Sequence, residues 1–421
     1  MTRVAIPGGV GQRRSLTHVG GDVELGGDEE AAELLAEALR VPSAESQEED
    51  GEDAARAHIH GFHTYPARMH PLTASRLVHA FASPRARVLD PFCGSGTVLV
   101  EAMLAGRDAV GSDLNPLAVR LSRLKTSVTT EAEREELLAA ARKIASFADE
   151  RRKTKAGATR RYPQDDVLLF DPHVLLELDS LRAGIALVKD PRVSHPLSLV
   201  LSALLVKVSR KQSDTSSAVE KRRIAAGYTA KLFTRKTEEL TRLLAELAGA
   251  LPKPTPRVRV EIDDACELAS VKTGSIHAVI SSPPYAATYD YMAHHAMRLR
   301  WLGLEGKATT SFAEKEMGSR RRYAELDAAS ALAEWQHELE GFLLQMARVL
   351  VKDAPLVLLM ADSAVGNVAL RADAIVAEVA GWAGLEPYAR ASQRRPNFHP
   401  GSAAAFRETP RAEHALLLLR S

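Results

Sequence analysis

Short apolar runs separated by longer stretches of helical spacing recur along this chain. Arg87-Val88-Leu89, Ala109–Asp113, Arg257–Ile262, Ala278–Ser281, Leu356–Ala361, a run around Tyr388 and His414–Leu419 are each of strand length and bounded by turn or charged residues. Between them apolar residues return at every third or fourth position, as over Thr97–Ala105, Leu332–Leu350 and Val368–Trp382, which predicts amphipathic helices. Strands alternating with helices predict an α/β fold, Rossmann-like and doubly wound around a mainly parallel sheet. One stretch breaks the alternation. Residues 129–256 show helical spacing over Leu168–Leu187, Leu197–Val208 and Leu240–Leu251, with no strand-like run. That is far longer than an ordinary connection between strands, so it predicts a helical insertion dividing an α/β domain of residues 57–128 and 257–421. No internal repeat is present.

Charge adds a second layer. Residues 22–54 hold 13 Asp and Glu against Arg40 alone, a balance of −12; with a net charge of +1 on the whole chain, the remainder carries +13. Residues 1–56 therefore read as a flexible acidic leader, with a helix expected at Asp28–Leu39 and a solubilising role. A basic body suits a polyanionic partner, because neutralised phosphates supply most nonspecific nucleic-acid affinity. Within the insertion, Lys207, Arg210, Lys211, Lys221, Arg222, Arg223, Lys231, Arg235 and Lys236 face only Asp214 and Glu220 and surround the polar break Gln212–Ser217. A second basic run, Ser319-Arg320-Arg321-Arg322-Tyr323, follows later. Either is a candidate for nucleic-acid contact.

At 421 residues and 45% hydrophobic, the chain can bury a substantial core. Two cysteines, Cys93 and Cys266, imply no disulfide framework and a reducing compartment. No Cys/His cluster has metal spacing, so no metal is expected. The N-terminus lacks the apolar stretch of a signal peptide. The longest apolar run, Leu197–Val206, is well short of the roughly 20 residues of a membrane helix. A cytoplasmic protein with no membrane partner is expected.

Two motifs carry candidate chemistry. The first, Asp90-Pro91-Phe92-Cys93-Gly94-Ser95-Gly96-Thr97, is a glycine turn between a strand and a helix, where glycine permits positive φ and close approach of a ligand to the backbone. About 20 residues on, the next strand ends at Asp113, the arrangement by which α/β folds grip a ribose. The second motif is Ser282-Pro283-Pro284-Tyr285 after the strand Ala278–Ser281. Residues preceding proline are driven into extended geometry, and the prolines offer no N–H donors. The turn therefore presents acceptors, the Ser282 hydroxyl and the Pro283 carbonyl, beside a flat ring. Such a turn suits a planar substrate that carries an amine. His294 and His295, in a helix after this turn, read as packing residues or phosphate contacts.

Together these motifs resemble the S-adenosylmethionine-dependent amino-methyltransferases of DNA, whose fold is of the class I methyltransferase type. The resemblance extends to His63-Thr64-Tyr65-Pro66-Ala67-Arg68-Met69-His70-Pro71 and to Tyr289-Asp290-Tyr291 through Trp301-Leu302-Gly303. It implies that Asp90, Phe92, Gly94, Gly96, Thr97 and Asp113 bind the cofactor S-adenosylmethionine, and that Asp264 meets its adenine amine. It implies that Ser282, Pro283, Pro284 and Tyr285 are catalytic, with Tyr285 the platform for a base flipped out of DNA. Serine ahead of Pro-Pro-Tyr is associated with cytosine-N4 enzymes, aspartate with adenine-N6 enzymes. The expected activity is thus site-specific methylation of cytosine N4 in DNA, with a cognate restriction nuclease as a candidate partner. Adenine-N6 methylation, an RNA amino-methyltransferase, and a silent DNA-binding subunit of a restriction or defence assembly are the alternatives.

Overall fold

Val88, Leu89, Ala278, Val279, Ile280 and Leu356 are each fully buried. A strand apolar on both faces is stable only inside a sheet that helices cover on both sides. The computed structural model, which describes residues 21–41, 58–216, 218–220, 222–396 and 400–420, places these residues in the middle of an eight-stranded sheet. Its strands in chain order are β1 (Val23–Gly27), β2 (Arg87–Asp90), β3 (Asp108–Asp113), β4 (Val258–Ile262), β5 (Ala278–Ser281), β6 (Pro355–Ala361), β9 (Leu385–Arg394) and β10 (Ala412–Arg420); β7 (Ser363–Val365) and β8 (Val368–Leu370) form a separate hairpin. The spatial order is β1-β9-β10-β6-β5-β2-β3-β4. From β4 to β6 all neighbours run parallel, while β10 is antiparallel to β6 and β9, and β1 to β9. The sheet is α/β and mainly parallel, as the alternation predicts.

The chain steps outward from β2 through β3 to β4, then returns to lay β5 on the other flank of β2. This reversal opens a crevice at the carboxyl ends of β2 and β5, where doubly wound sheets hold their ligands. Helix α3 (Thr97–Leu104) follows the glycine turn, and α4 (Pro116–Lys125) starts where the Asn115 side chain accepts from the Leu117 amide, with Pro116 in the first turn.

Two expectations are corrected. The helix expected over Val368–Trp382 begins only at Ala372 (α14, Ala372–Trp382), because Gly366, at φ 56°, lets Val365 and Val368 close the β7–β8 hairpin. The leader expected to be flexible is anchored over residues 23–39. There β1 extends the sheet beside β9, and α1 (Glu29–Leu39), capped by Asp28, buries Ala32, Leu35, Ala36 and Leu39. The helix is amphipathic, so its acidic count describes only the outward face. Residues 1–20 and 42–56 of that leader lie outside the described residues.

Between β3 and β4, residues 129–256 form α5 (Glu131–Lys153), α6 (Gln164–Leu169), α7 (Pro172–Ala186), α8 (Pro191–Val208) and α9 (Tyr228–Ala250). Leu178, Val200, Leu204, Phe233 and Leu240 are fully buried among them, and the same apolar cluster takes in Leu117 and Leu121 of α4. The helices therefore pack onto the sheet-bearing part through one continuous core.

Truncating Leu35 tests the anchoring of α1. Leu35→Ala should cost about 2–4 kcal/mol in urea unfolding; an unchanged midpoint would mean that this segment is only a tail.

Candidate active site

The parallel register of β2 and β5, Val88 opposite Ala278 and Leu89 opposite Val279, brings Asp90 and Ser281 side by side at the strand ends. The Ser281 hydroxyl donates to Asp90 Oδ1 at 2.6 Å, and both residues are buried. This bond ties the glycine turn to the Pro-Pro-Tyr turn directly.

Around it opens one cleft of about 830 Å³, open solvent at its mouth included. On one side it is lined by Asp90, Phe92, Gly94, Ser95, Thr97 and Asp113, on another by Ser282 and Pro284, so both motifs share a single cavity. Tyr65 and Met69 supply another part of its wall, as do Phe312, Glu316 and Met317. The turn requires its glycines. Gly94 (φ 50°) and Gly96 (φ 83°) are left-handed; a Cβ on Gly96 would lie 2.9 Å from Ser122 Oγ, and one on Gly94 3.3 Å from the Tyr65 ring. The Gly94 amide donates to Asp113 Oδ2 at 2.9 Å, and the Asn115 amide to Oδ1 at 2.8 Å. These two bonds fix the carboxylate toward the cleft.

Electrostatically the cleft is acidic. Burial raises Asp90 to about 7, against the bonds from Ser281 and the Phe92 amide. Burial likewise raises Asp113 to about 6, against the Asn115 and Gly94 amides, and Glu316 to about 7, against the Tyr291 amide. Two buried hydroxyls at the start of α3, Ser95 Oγ and Thr97 Oγ1, have no hydrogen-bond partner among the described residues. Unsatisfied donors beside a helix N-terminus suit a carboxylate, while the surrounding carboxyls suit a cation. A ligand carrying an amino-acid end, a sulfonium and a ribose meets both requirements, and S-adenosylmethionine fits this set.

The sequence-derived residues divide in two. Asp90, Phe92, Gly94, Thr97, Asp113, Ser282 and Pro284 line the cleft, and Gly96 caps α3 beside it. Pro283 is buried beneath the turn. The Tyr285 ring packs against the core on the far side of that turn, where its hydroxyl meets Ser282 and burial raises its pKa. Asp264 is not in the lining: its Oδ1 accepts from the Cys266 amide at 2.9 Å, and its Oδ2 pairs with Lys315 at 3.3 Å. The neighbouring Asp263 takes its place in the wall. A one-residue difference is all that separates them, and alternation along the strand alone does not settle which faces inward.

Asn115 is a lining residue that the motifs did not single out. It donates to the Tyr65 hydroxyl at 3.3 Å and contacts His295 Nδ1 at 3.2 Å, with the His295 ring edge-on to Tyr65 at 4.6 Å. Burial first, then Arg298, lowers His295 to about 3, so it is a neutral packing residue. The Asn-Pro pair after Asp113 was a legible helix start; Phe312, Glu316 and Met317 carry no local signal. Among the described residues, Asp362, Asp373 and His414 bring ligand atoms within 4.8 Å of one another. Asp362, however, already accepts from the Ala372 and Ala412 amides, from Arg371 and from His414, which makes it a knot joining β6, α14 and β10.

Because Asp90 titrates higher folded than unfolded, the native state holds a proton that the unfolded chain has released between about pH 4 and 7. Stability from this group is full below that window and is lost as pH rises through it. Asp90→Asn should therefore unfold later than wild type by about 2–4 kcal/mol near pH 8, with little difference near pH 4, in denaturant titrations at both values. A gap independent of pH would contradict the buried carboxyl.

The DNA methylase family model matches residues 37–123, which contain the glycine turn and Asp113. The chain is 38% identical over 71 residues to the type II methyltransferase M.MvaI of Kocuria varians, covering 16% of each protein. It is 31% identical over 68 residues to M.MjaII of Methanocaldococcus jannaschii, covering 16% of this chain and 13% of that protein. The matched stretches thus span about a sixth or less of these relatives' length. Solved structures align more widely but distantly: TrmN from Thermus thermophilus at 11% identity and TM-score 0.30, covering 83% of this chain and 49% of that one, and the rRNA methyltransferase aviRa from Streptomyces viridochromogenes at 12% and 0.30, covering 83% and 84%. Over residues 37–123, the segment that carries the glycine turn, the chain is similar to the N6/N4 family of DNA methylases.

Proposed function

We propose that this protein methylates the exocyclic amine of cytosine, at N4, in DNA. The supporting observation is the shared cleft, which the glycine-turn residues and Asp113 line together with Ser282 and Pro284 of the acceptor turn. Bound S-adenosylmethionine supplies a methyl group on an electrophilic sulfonium. Asp113 takes ribose hydroxyls with the lone pairs that its amide bonds leave free. Ser95 and Thr97 take the carboxylate of the methionine end. Asp263, which lines the cleft where Asp264 does not, would meet the adenine.

The amine of a nucleobase is a poor nucleophile, because its lone pair is delocalised into the ring. Ser282 Oγ and the Pro283 carbonyl accept the two amine hydrogens, which favours pyramidal nitrogen and localises that pair. Positive charge grows on the nitrogen in the transition state, so these acceptors stabilise it more than the ground state. Positioning supplies much of the remainder. The Ser282 hydroxyl meets the Tyr285 hydroxyl, a contact that would fix how Ser282 faces the substrate. Tyr285 accordingly orients Ser282 while its own ring packs against the core. The proton leaves to water. Serine at position 282 supports cytosine over adenine, and the basic surface outside the acidic leader supports a DNA substrate.

Duplex DNA incubated with the protein and labelled S-adenosylmethionine should acquire label, and nucleoside mass spectrometry should identify N4-methylcytosine. N6-methyladenine would overturn the base assignment; label on RNA and none on DNA would overturn the substrate.

Removing only the Tyr285 hydroxyl tests its orienting role. Tyr285→Phe should lower kcat roughly tenfold to a hundredfold while leaving cofactor affinity by calorimetry within about twofold. A change confined to cofactor affinity would contradict that role.

A further inference from the structure

We infer that the loop 210–220, between α8 and α9, is the element that reads DNA sequence beside the cleft. This rests on the DNA substrate proposed above. Of the two basic segments that the sequence offers, the structure uses up one. Arg322 pairs with Glu334 at 2.5 Å and Glu338 at 2.6 Å. Arg321 donates to the Ala313 carbonyl at 2.8 Å, and the buried Tyr323 to Glu338 at 2.9 Å. Arg322 and Tyr323 therefore hold this segment against the helix that carries Glu334 and Glu338, while Arg320 and Arg321 remain exposed, Arg321 within 3.7 Å of Asp290 and 3.8 Å of Glu316.

The loop 210–220 is built the opposite way, with a pinned base and an open tip. Its two sides are joined by an antiparallel bridge between Lys211 and Val219 and by the Glu220 amide donating to the Arg210 carbonyl at 2.7 Å. Asp214 anchors it to the cleft wall, accepting from Arg298 Nε at 2.8 Å, Arg298 Nη2 at 2.9 Å and Thr64 Oγ1 at 3.1 Å. Burial would raise Asp214, but the Arg298 guanidinium outweighs it and holds the carboxyl below its usual range. Thr64 adjoins Tyr65, which lines the cavity, and Arg298 lies one helical turn from His295, which packs on Tyr65.

The tip itself carries amide and hydroxyl groups at its surface, with Gln212 Nε2 donating to Glu220 Oε1 at 3.0 Å and Ser213 Oγ 3.4 Å from Thr215 Oγ1, so they must exchange these exposed bonds for base edges. Gln212 and Thr215 are exposed and Ser213 half-buried. Such side chains both donate and accept, as readout of base edges demands, whereas cations alone would hold phosphates of any sequence. The cations of the surrounding run divide accordingly. Arg210 pairs with Asp171 and Arg222 donates to the last carbonyls of α8, while Lys207, Arg223, Lys231 and Arg235 stay exposed for the DNA backbone.

The full-length wild type, the double variant Gln212→Ala/Thr215→Ala and Arg320→Ala are expressed in a host without DNA methylation, and modified sites are mapped across its genome. Binding to cognate and scrambled duplexes is measured by fluorescence anisotropy, and cofactor affinity by calorimetry. The double variant should relax the methylated motif at one or two positions and lower the cognate-to-scrambled ratio roughly tenfold to a hundredfold. Its cofactor affinity and melting temperature should stay at wild-type values, because both substituted side chains are exposed. Arg320→Ala should weaken both duplexes alike and keep the motif. An unchanged motif in the double variant, or a motif altered by Arg320→Ala instead, overturns the loop's role while leaving the methylation of DNA intact. A wild type that marks no DNA overturns both proposals together.

Discussion

The site depends on one contact, the hydrogen bond from Ser281 to Asp90 across the parallel seam of β2 and β5. Between these two residues the chain makes an entire excursion through β3, the insertion helices and β4. Only the return of β5 to the free flank of β2 allows the acceptor turn to face the nucleoside pocket. Parallel neighbours place their carboxyl ends at the same edge, so the loops after both strands open on the same crevice. A strand inserted between β2 and β5 would separate the two halves of the site by a full strand spacing, about 4.8 Å.

That contact also sets the electrostatics. Asp90 is buried where an isolated carboxylate would be costly, and the Ser281 hydroxyl offsets only part of that cost. Its raised pKa is the consequence. An acidic crevice is poor for the stability of the empty protein near neutral pH, and is what a cationic ligand requires. Such an exchange of stability for function is expected at sites where titratable groups are gathered.

The second organising element is the buried pair of Arg298 and Asp214. Arg298 also donates to the Ser202 carbonyl and to Thr64, so a single guanidinium joins α8, the loop 210–220, the segment before the glycine turn and the helix after the Pro-Pro-Tyr turn. Removing one partner of such a pair leaves an uncompensated buried charge, a loss of about 3–5 kcal/mol. The insertion is thus held to the cleft wall by charge as well as by its apolar core.

Much of this was legible in the chain itself. The uninterrupted apolar runs at Val88–Leu89 and Ala278–Ile280 can be stable only as inner strands of a covered sheet. Gly94 and Gly96 stand where only glycine fits, and prolines 283 and 284 leave a turn with acceptors and no donors. Those are local constraints, so one stretch of residues suffices to state them. Other features needed distant parts of the chain to meet. Ser281 looked like the end of a strand until β2 lay beside it; Asp263 and Asp264 differ only in which way the chain turns after β4; the acidic segment at 28–39 became a docked helix because β9 offered an edge for β1. Arg322 read as a nucleic-acid contact until Glu334 and Glu338 came within reach. Local sequence determined the elements and the chemistry they could offer, while the pairing of distant strands and charges decided which groups were spent on the fold and which were left facing the cleft.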